Sequence, residues 1–192
     1  ISSTDGPTDA AAVAALTGHG HTATVGVDYT LFDGSVALGG FDTVYLQCNF
    51  NWTNLLTMPE AGQQQLITWV NAGGRLVTSE WVVYYTSAGA KFGTLASIIP
   101  AEHSFAFSSD PSTTYTQITP DPAINAGLPT AFTFPLYDYT GTENHTVAKA
   151  GATTYYDTSS NPGSVGLCGW AIGSGSVYSF LSTCGPDQVA DT

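Results

Sequence analysis

The sequence predicts a single α/β domain spanning residues 1–192, with a parallel sheet covered by helices in its first half and a meander of antiparallel strands in its second. Three observations predict it. Up to about residue 100, helical and strand-like segments alternate, the rhythm of strands crossing over through helices. Beyond that point seven strand-like segments follow one another without a helix. Finally, 192 residues with 43% hydrophobic content can bury one full core, and no internal repeat or low-complexity linker divides the chain.

The elements follow in order. After a turn-like opening, Thr8-Asp9 precedes an Ala/Val/Leu run that stops at Gly18, which predicts an N-cap, a helix over residues 9–17 and a glycine C-cap. Residues 22–27 and 42–47 read as strands. Residues 59–70 form the clearest helix pattern, with Pro59 in the first turn, Leu66, Trp69 and Val70 at helical spacing, and Gly73-Gly74 to end it. Residues 75–79 read as a short buried strand and residues 90–99 as a short helix. The strands of the second half are expected at 104–107, 114–118, 131–134, 146–148, 153–157, 165–171 and 176–182, the last two joined by a Gly173-Ser174-Gly175 hairpin turn.

Composition narrows function. Three basic residues, Arg75, Lys91 and Lys149, stand against fifteen acidic ones, a formal net charge of −12. No basic stripe exists to neutralise phosphates, so nucleic-acid binding is excluded. No apolar run is long enough to span a membrane, and no signal peptide is visible at Ile1, so a secreted chain is expected to be numbered from after processing. A polar surface built from Ser, Thr, Asn, Gln and Gly points to a secreted or cell-surface location. Two Asn-x-Thr sequons, at Asn51 and Asn144, are candidate glycosylation sites. Cys48, Cys168 and Cys184 allow one disulfide and one free thiol; connectivity does not follow from spacing.

The stretches FDTVYLQ, LITWVNAGGRLVTSEW, DPAINAGLP and GSGSVYSFLST, together running from Thr8 to Asp187, resemble the class I glutamine amidotransferase-like superfamily, particularly its ThuA-like and uncharacterised extracellular branches. The resemblance implies a flavodoxin-like, mostly parallel sheet flanked by helices. Residues 42–47, 75–79 and 177–183 would run parallel near its centre, with their C-terminal ends opening into one ligand crevice. Relatives begin with a full apolar strand where this chain has only residues 1–4, and end with a helix where it stops. Either the domain is abbreviated, or an edge is completed by another segment or subunit.

The resemblance also implies a reactive turn after residues 75–79, where the family carries a Cys, and a His-x-Glu group after the last strand. Here Glu80 stands at the turn and Ser182-Thr183-Cys184 at the second place, so the Cys-His-Glu triad is absent. A rebuilt carboxylate site would pair Glu80 with Asp5 or Asp187 as acid and base. The alternative is that Glu80 stabilises the turn by hydrogen bonding. Asn49, Trp52, Trp81, Tyr84 and Tyr85 combine flat apolar faces with amides and are candidates for ligand binding; Trp81 and Tyr84 can equally be core. His19 and His21 flank one glycine but lack a further ligand at fixed spacing, so no metal and no cofactor are expected. On the strand placement the pair drawn for a disulfide is Cys48 with Cys184, the alternative for Cys48 being a buried inert thiol.

The function expected from these features is a non-enzymatic extracellular or cell-surface domain for assembly, adhesion or filament structure, self-associating through an exposed sheet edge. A carbohydrate-active hydrolase using Glu80, and a carbohydrate-binding module, are the competing expectations.

Overall fold

A computed structural model of the chain describes residues 1–48, 56–87, 91–108, 112–135, 143–159 and 163–181. Helix α1, Gly6–Gly18, begins where the Asp5 side chain accepts a hydrogen bond from the Thr8 amide at 3.1 Å, with Pro7 in the first turn. The cap is thus Asp5, three residues ahead of the Thr8-Asp9 start expected. Asp9 instead turns inward from the helix to accept from the Ser3 amide and the Ser2 hydroxyl, at 2.9 and 2.5 Å. Strand β1 covers Thr43–Leu46 and helix α2 covers Glu60–Asn71. Gly62, Gln63, Leu66 and Val70 form the buried face of α2. Gly73, at φ 121°, ends it in a conformation that side chains avoid.

Strand β2, Arg75–Thr78, leads directly into helix α3, Glu80–Ser87. The next seven strands are β3 (Ala101–Ser108), β4 (Ser112–Gln117), β5 (Ala131–Pro135), β6 (Glu143–Ala148), β7 (Thr153–Thr158), β8 (Val165–Ile172) and β9 (Gly175–Phe180). The main sheet has the order β1-β2-β9-β8-β7-β4-β5, and β3 pairs with β6 in a separate ribbon.

This topology corrects the fold class drawn from the resemblance. Only β1 with β2 and β2 with β9 run parallel; β9-β8, β8-β7, β7-β4 and β4-β5 are antiparallel. The sheet is mixed and mostly antiparallel, not flavodoxin-like. A parallel neighbour needs a long crossover, as β1 to β2 and β2 to β9 have, whereas β7 to β8 and β8 to β9 return through short turns that only antiparallel neighbours can use. Two further expectations change. Residues 22–27 are extended but form no strand, contributing only the Val27 carbonyl to the Ser2 amide beside an isolated Ser2–Asp28 bridge. Within 90–99 the described helix is a single 3-10 turn, Leu95–Ser97.

The larger core packs Val44, Leu46, Leu66, Val70, Leu76 and Val177 between α2 and the parallel strands, with Tyr85, Phe92 and Ile99 on the α3 side. A smaller one gathers Tyr115, Tyr155 and Tyr156 on the antiparallel part of the sheet.

Candidate functional site

The parallel strands end together, so the turn after β2 and the residues after β1 and β9 share one end of the sheet. The Ser79 amide donates to the Leu46 carbonyl at 3.3 Å, which carries the β1–β2 ladder into the turn. Glu80 occupies the first turn of α3, where unpaired helix amides favour a negative charge. It is 1% exposed. Trp81, Val82, Val83 and Tyr85 are buried beside it, and Tyr84 is half-buried.

The rings of this helix make a packed cluster. Trp81 meets Tyr84 edge-on at 5.2 Å, and Tyr84 meets His103 edge-on at 5.5 Å. Tyr85 packs on Phe92 at 5.3 Å. Burial, then the neighbouring Cys48 thiol and Tyr29 phenol, push the Tyr85 phenol far above its ordinary range. Of the ligand-binding candidates, Trp81, Tyr84 and Tyr85 are therefore brought together as core, their rings packed edge-on or tilted against one another. Ser79 Oγ and Trp81 Nε1 are buried there without a hydrogen-bond partner.

The proposed carboxylate partners do not join Glu80 in a described pair. Asp5 is committed to the α1 cap, accepting from both the amide and the hydroxyl of Thr8. Asp187 lies outside the described residues, as do Asn49, Asn51, Trp52 and Cys184. Cys48 is a free, fully buried thiol, held well above its ordinary pKa by burial, and its expected partner Cys184 is outside the described residues; Cys168 is likewise free. Asn144 falls in β6, opposite Phe107 in the β3–β6 ribbon. His19 follows α1 as its C-cap and is exposed, as is His21. Among the described residues no group of three His, Cys, Asp or Glu gathers at one place, and no helix is long and apolar enough to cross a membrane.

The open edge of the sheet is not where the sequence placed it. Beside β1, the Ile1 nitrogen donates to the Tyr45 carbonyl at 2.9 Å, and the Ser2 carbonyl accepts from the Tyr29 amide at 3.2 Å. Ile1 thus meets that edge at Tyr45, while Ser2 is bonded to Val27 and Tyr29. The other edge is β5, which among the described residues pairs with β4 only.

Hydrogen-bond alternation fixes what β5 presents. The Gln117 amide donates to the Thr130 carbonyl at 2.8 Å, so in this antiparallel register the bonded pairs are 117 with 130, 115 with 132 and 113 with 134. The Ser159 amide bonds the Thr114 carbonyl at 3.0 Å, which turns the alternate residues of β4 toward β7 as the same alternation requires. On β5 the alternate residues, Ala131 and Thr133, therefore direct their amides and carbonyls outward, and both are exposed. Inward, Phe132 stacks on Tyr115 at 5.1 Å and 3°, and Tyr115 on Phe180 at 5.2 Å and 19°. The signals for this edge were in the sequence: alternation in AFTFP, a proline on each side (Pro129, Pro135), and Asp121 as the one charged residue between Ser112 and Tyr137.

A shallow groove of about 680 Å³ lies at the opposite end of the parallel strands, lined by Phe41, Asp42, Trp69, Arg75 and the 174–176 turn. Trp69 covers Gly74, where a Cβ would collide with the indole.

No protein-family model matches the chain, and no curated protein matches it in sequence. Solved structures do resemble it in fold. A cytoplasmic protein of Salmonella typhimurium, STM1381, superposes with a TM-score of 0.68 at 16% identity, covering 96% of this chain and 79% of its own. A structure described as thua-like, from Parabacteroides merdae, gives 0.64 at 10% identity, covering 90% of this chain and 72% of its own. A β-galactosidase from Rahnella sp. R3 gives 0.61 at 14% identity; 95% of this chain corresponds to 25% of that one. The likeness to a ThuA-like structure is thus one of fold. The secreted or cell-surface location expected from composition is withdrawn, because the Salmonella neighbour is described as cytoplasmic and points away from it.

Proposed function

We propose that this chain is a non-catalytic association domain, acting through protein contacts at its sheet edge. The observation that carries this reading is the burial of Glu80 to 1% exposure within the aromatic packing of α3. A carboxylate acting as general acid or base must reach its substrate's proton. Here Glu80 is closed off from solvent with Trp81 and Tyr85 buried on the same helix, and Asp5 is held by its helix. A glycosidase needs two carboxyls about 5 to 10 Å apart with a sugar between them. The fold's occurrence both as most of one chain and as a quarter of a β-galactosidase chain supports a module that serves beside different neighbours.

The test is a turnover screen on aryl glycosides and aryl esters with the native chain and Glu80→Gln. No turnover above background is expected from either. Turnover that Glu80→Gln abolishes in a folded variant would overturn the reading.

A second reading, carbohydrate binding, is favoured by the groove beside Trp69, where the 45%-exposed Phe41 sits with Asp42 and Arg75. An apolar ring beside hydrogen-bonding groups suits a sugar face. A glycan array probed with the native chain and Phe41→Ala decides it, since loss of every signal in the variant is required.

A further inference from the structure

We propose that β5 is the surface through which two copies of this chain pair, antiparallel about a two-fold axis beside Phe132, so that two seven-stranded sheets join into one. The proposal rests on the association reading above and names its partner. Ala131 and Thr133 each direct an amide and a carbonyl away from β4. Pairing Ala131 with Thr133 of the second copy, and the reverse, forms four hydrogen bonds and leaves neither residue unmatched.

The prolines favour that register, since shifting it sets Ala131 or Thr133 opposite a residue that cannot donate. Pro135, two residues beyond Thr133, has no amide to donate, and Pro129, two before Ala131, has none either. The end beside Pro129 is also held in place: the Pro129 carbonyl accepts from the Tyr156 hydroxyl at 3.1 Å, and the Thr130 carbonyl from the Gln117 amide. The outward groups are therefore fixed before a partner arrives.

Charge favours a second copy over a charged partner. Each chain carries a formal net charge of −12, so most approaches of one copy to another are repelled. Between Ser112 and Tyr137 the only charged residue is Asp121. The edge lacks the lysines that usually guard such strands, and it offers no charge for a basic partner to recognise. The aromatic stack points the same way. Phe180, Tyr115 and Phe132 follow one another across the sheet and end at the half-buried ring of Phe132. On the two-fold axis Phe132 lies directly opposite its copy, at a non-hydrogen-bonded position where the side chains approach most closely. Such an interface is self-complementary and closes at two copies, not a filament.

Sedimentation velocity from about 1 µM to about 500 µM tests this on the native chain, Thr133→Pro and Thr133→Lys. The proline removes one outward amide, and the lysine places like charges near the axis. The native chain is expected to pass from monomer to dimer, more readily at high salt, and each folded variant to weaken the dimer at least about tenfold. Should the proline variant fail to fold, as read by near-ultraviolet circular dichroism, the lysine variant carries the comparison. A native chain that stays monomeric throughout, or folded variants that dimerise as the native chain does, overturns the proposal. Neither result alters the turnover screen, so a failure here is distinguishable from a failure of the non-catalytic reading.

Discussion

Gly166→Ala is expected to destabilise the domain by about 3 kcal/mol, at the upper end of the usual range for overpacking a filled core. A Cβ on Gly166 would sit 2.5 Å from Tyr115 Cδ1 and 2.9 Å from Thr158 Cγ2, against an ordinary contact of 3.4–4 Å. One atom or the other must retreat by about 1 Å, and interiors are packed too densely to absorb that freely. Tyr115 is 0% exposed and stacked between Phe132 and Phe180, so shifting its ring also disturbs two aromatic pairs, each contributing about 0.5–1.5 kcal/mol. For a domain of this size the loss corresponds to a fall of about 6–12 °C in the thermal midpoint. The assay is calorimetry on Gly166→Ala, Tyr115→Leu and the double variant. Removing the ring relieves the clash, so the double variant should be more stable than the sum of the single losses by more than about 1 kcal/mol. A midpoint within about 2 °C of the native chain, or strict additivity, would refute the packing argument.

Two further predictions concern the turn and the buried thiols. Ser79→Ala removes a buried hydroxyl that has no partner and should leave stability unchanged or raise it. Thr78→Ala breaks the buried 2.8 Å bond to Ser179 and should cost about 1–3 kcal/mol; urea unfolding compares them, and a larger loss for Ser79→Ala than for Thr78→Ala would sink the assignment. Burial raises the Cys168 thiol from 9.0 to about 12. The folded chain then keeps a proton that the unfolded chain releases, so this contribution is intact below pH 9 and lost as pH rises toward 12. The slope is about 1.4 kcal/mol per pH unit in that window, with Cys48 adding in the same direction. Urea unfolding between those limits should show a shallower decline in Cys168→Ala; an unchanged slope contradicts the assignment.

Much of the local structure was legible because it follows from chemistry within a few residues. Helix α2 was announced by Pro59, by Leu66 and Val70 one turn apart, and by the glycine pair that stops it. Strands β4 to β9 were legible from alternation and their turns. Helix α3 was not assigned, because Trp81-Val82-Val83-Tyr84-Tyr85 is built from residues that favour strands, and tertiary burial overrides that preference. Residues 22–27 show the reverse failure: their pattern suits a strand, but only position 27 finds a backbone partner, through its carbonyl. The parallel run of β1, β2 and β9 and the antiparallel second half were both expected; what was misjudged is the balance, because pairing is long-range and the antiparallel strands join the same sheet through β9 and outnumber the parallel ones.

The candidate site was legible in part for the same reason. Glu80 was placed at the turn after β2, yet its burial depends on how α3 lies against β3, which no local pattern encodes. The uncovered edge was sought at the chain's beginning, where residues are few. Ile1 already occupies the Tyr45 carbonyl at that edge, and the longer row of outward backbone groups is at β5.

The claim that this edge is the working surface is tested most directly by a cysteine at the axis. Antiparallel pairing centred on Phe132 brings the two Cα atoms of that position to about 4.5 Å, within the range a disulfide can bridge. With Cys48 and Cys168 buried and Cys184 replaced by Ser, mild oxidation of Phe132→Cys should trap a covalent dimer, and Leu128→Cys, exposed but off the axis, should not. Equal trapping at both positions, or none at Phe132→Cys under conditions that oxidise a free thiol, contradicts the account.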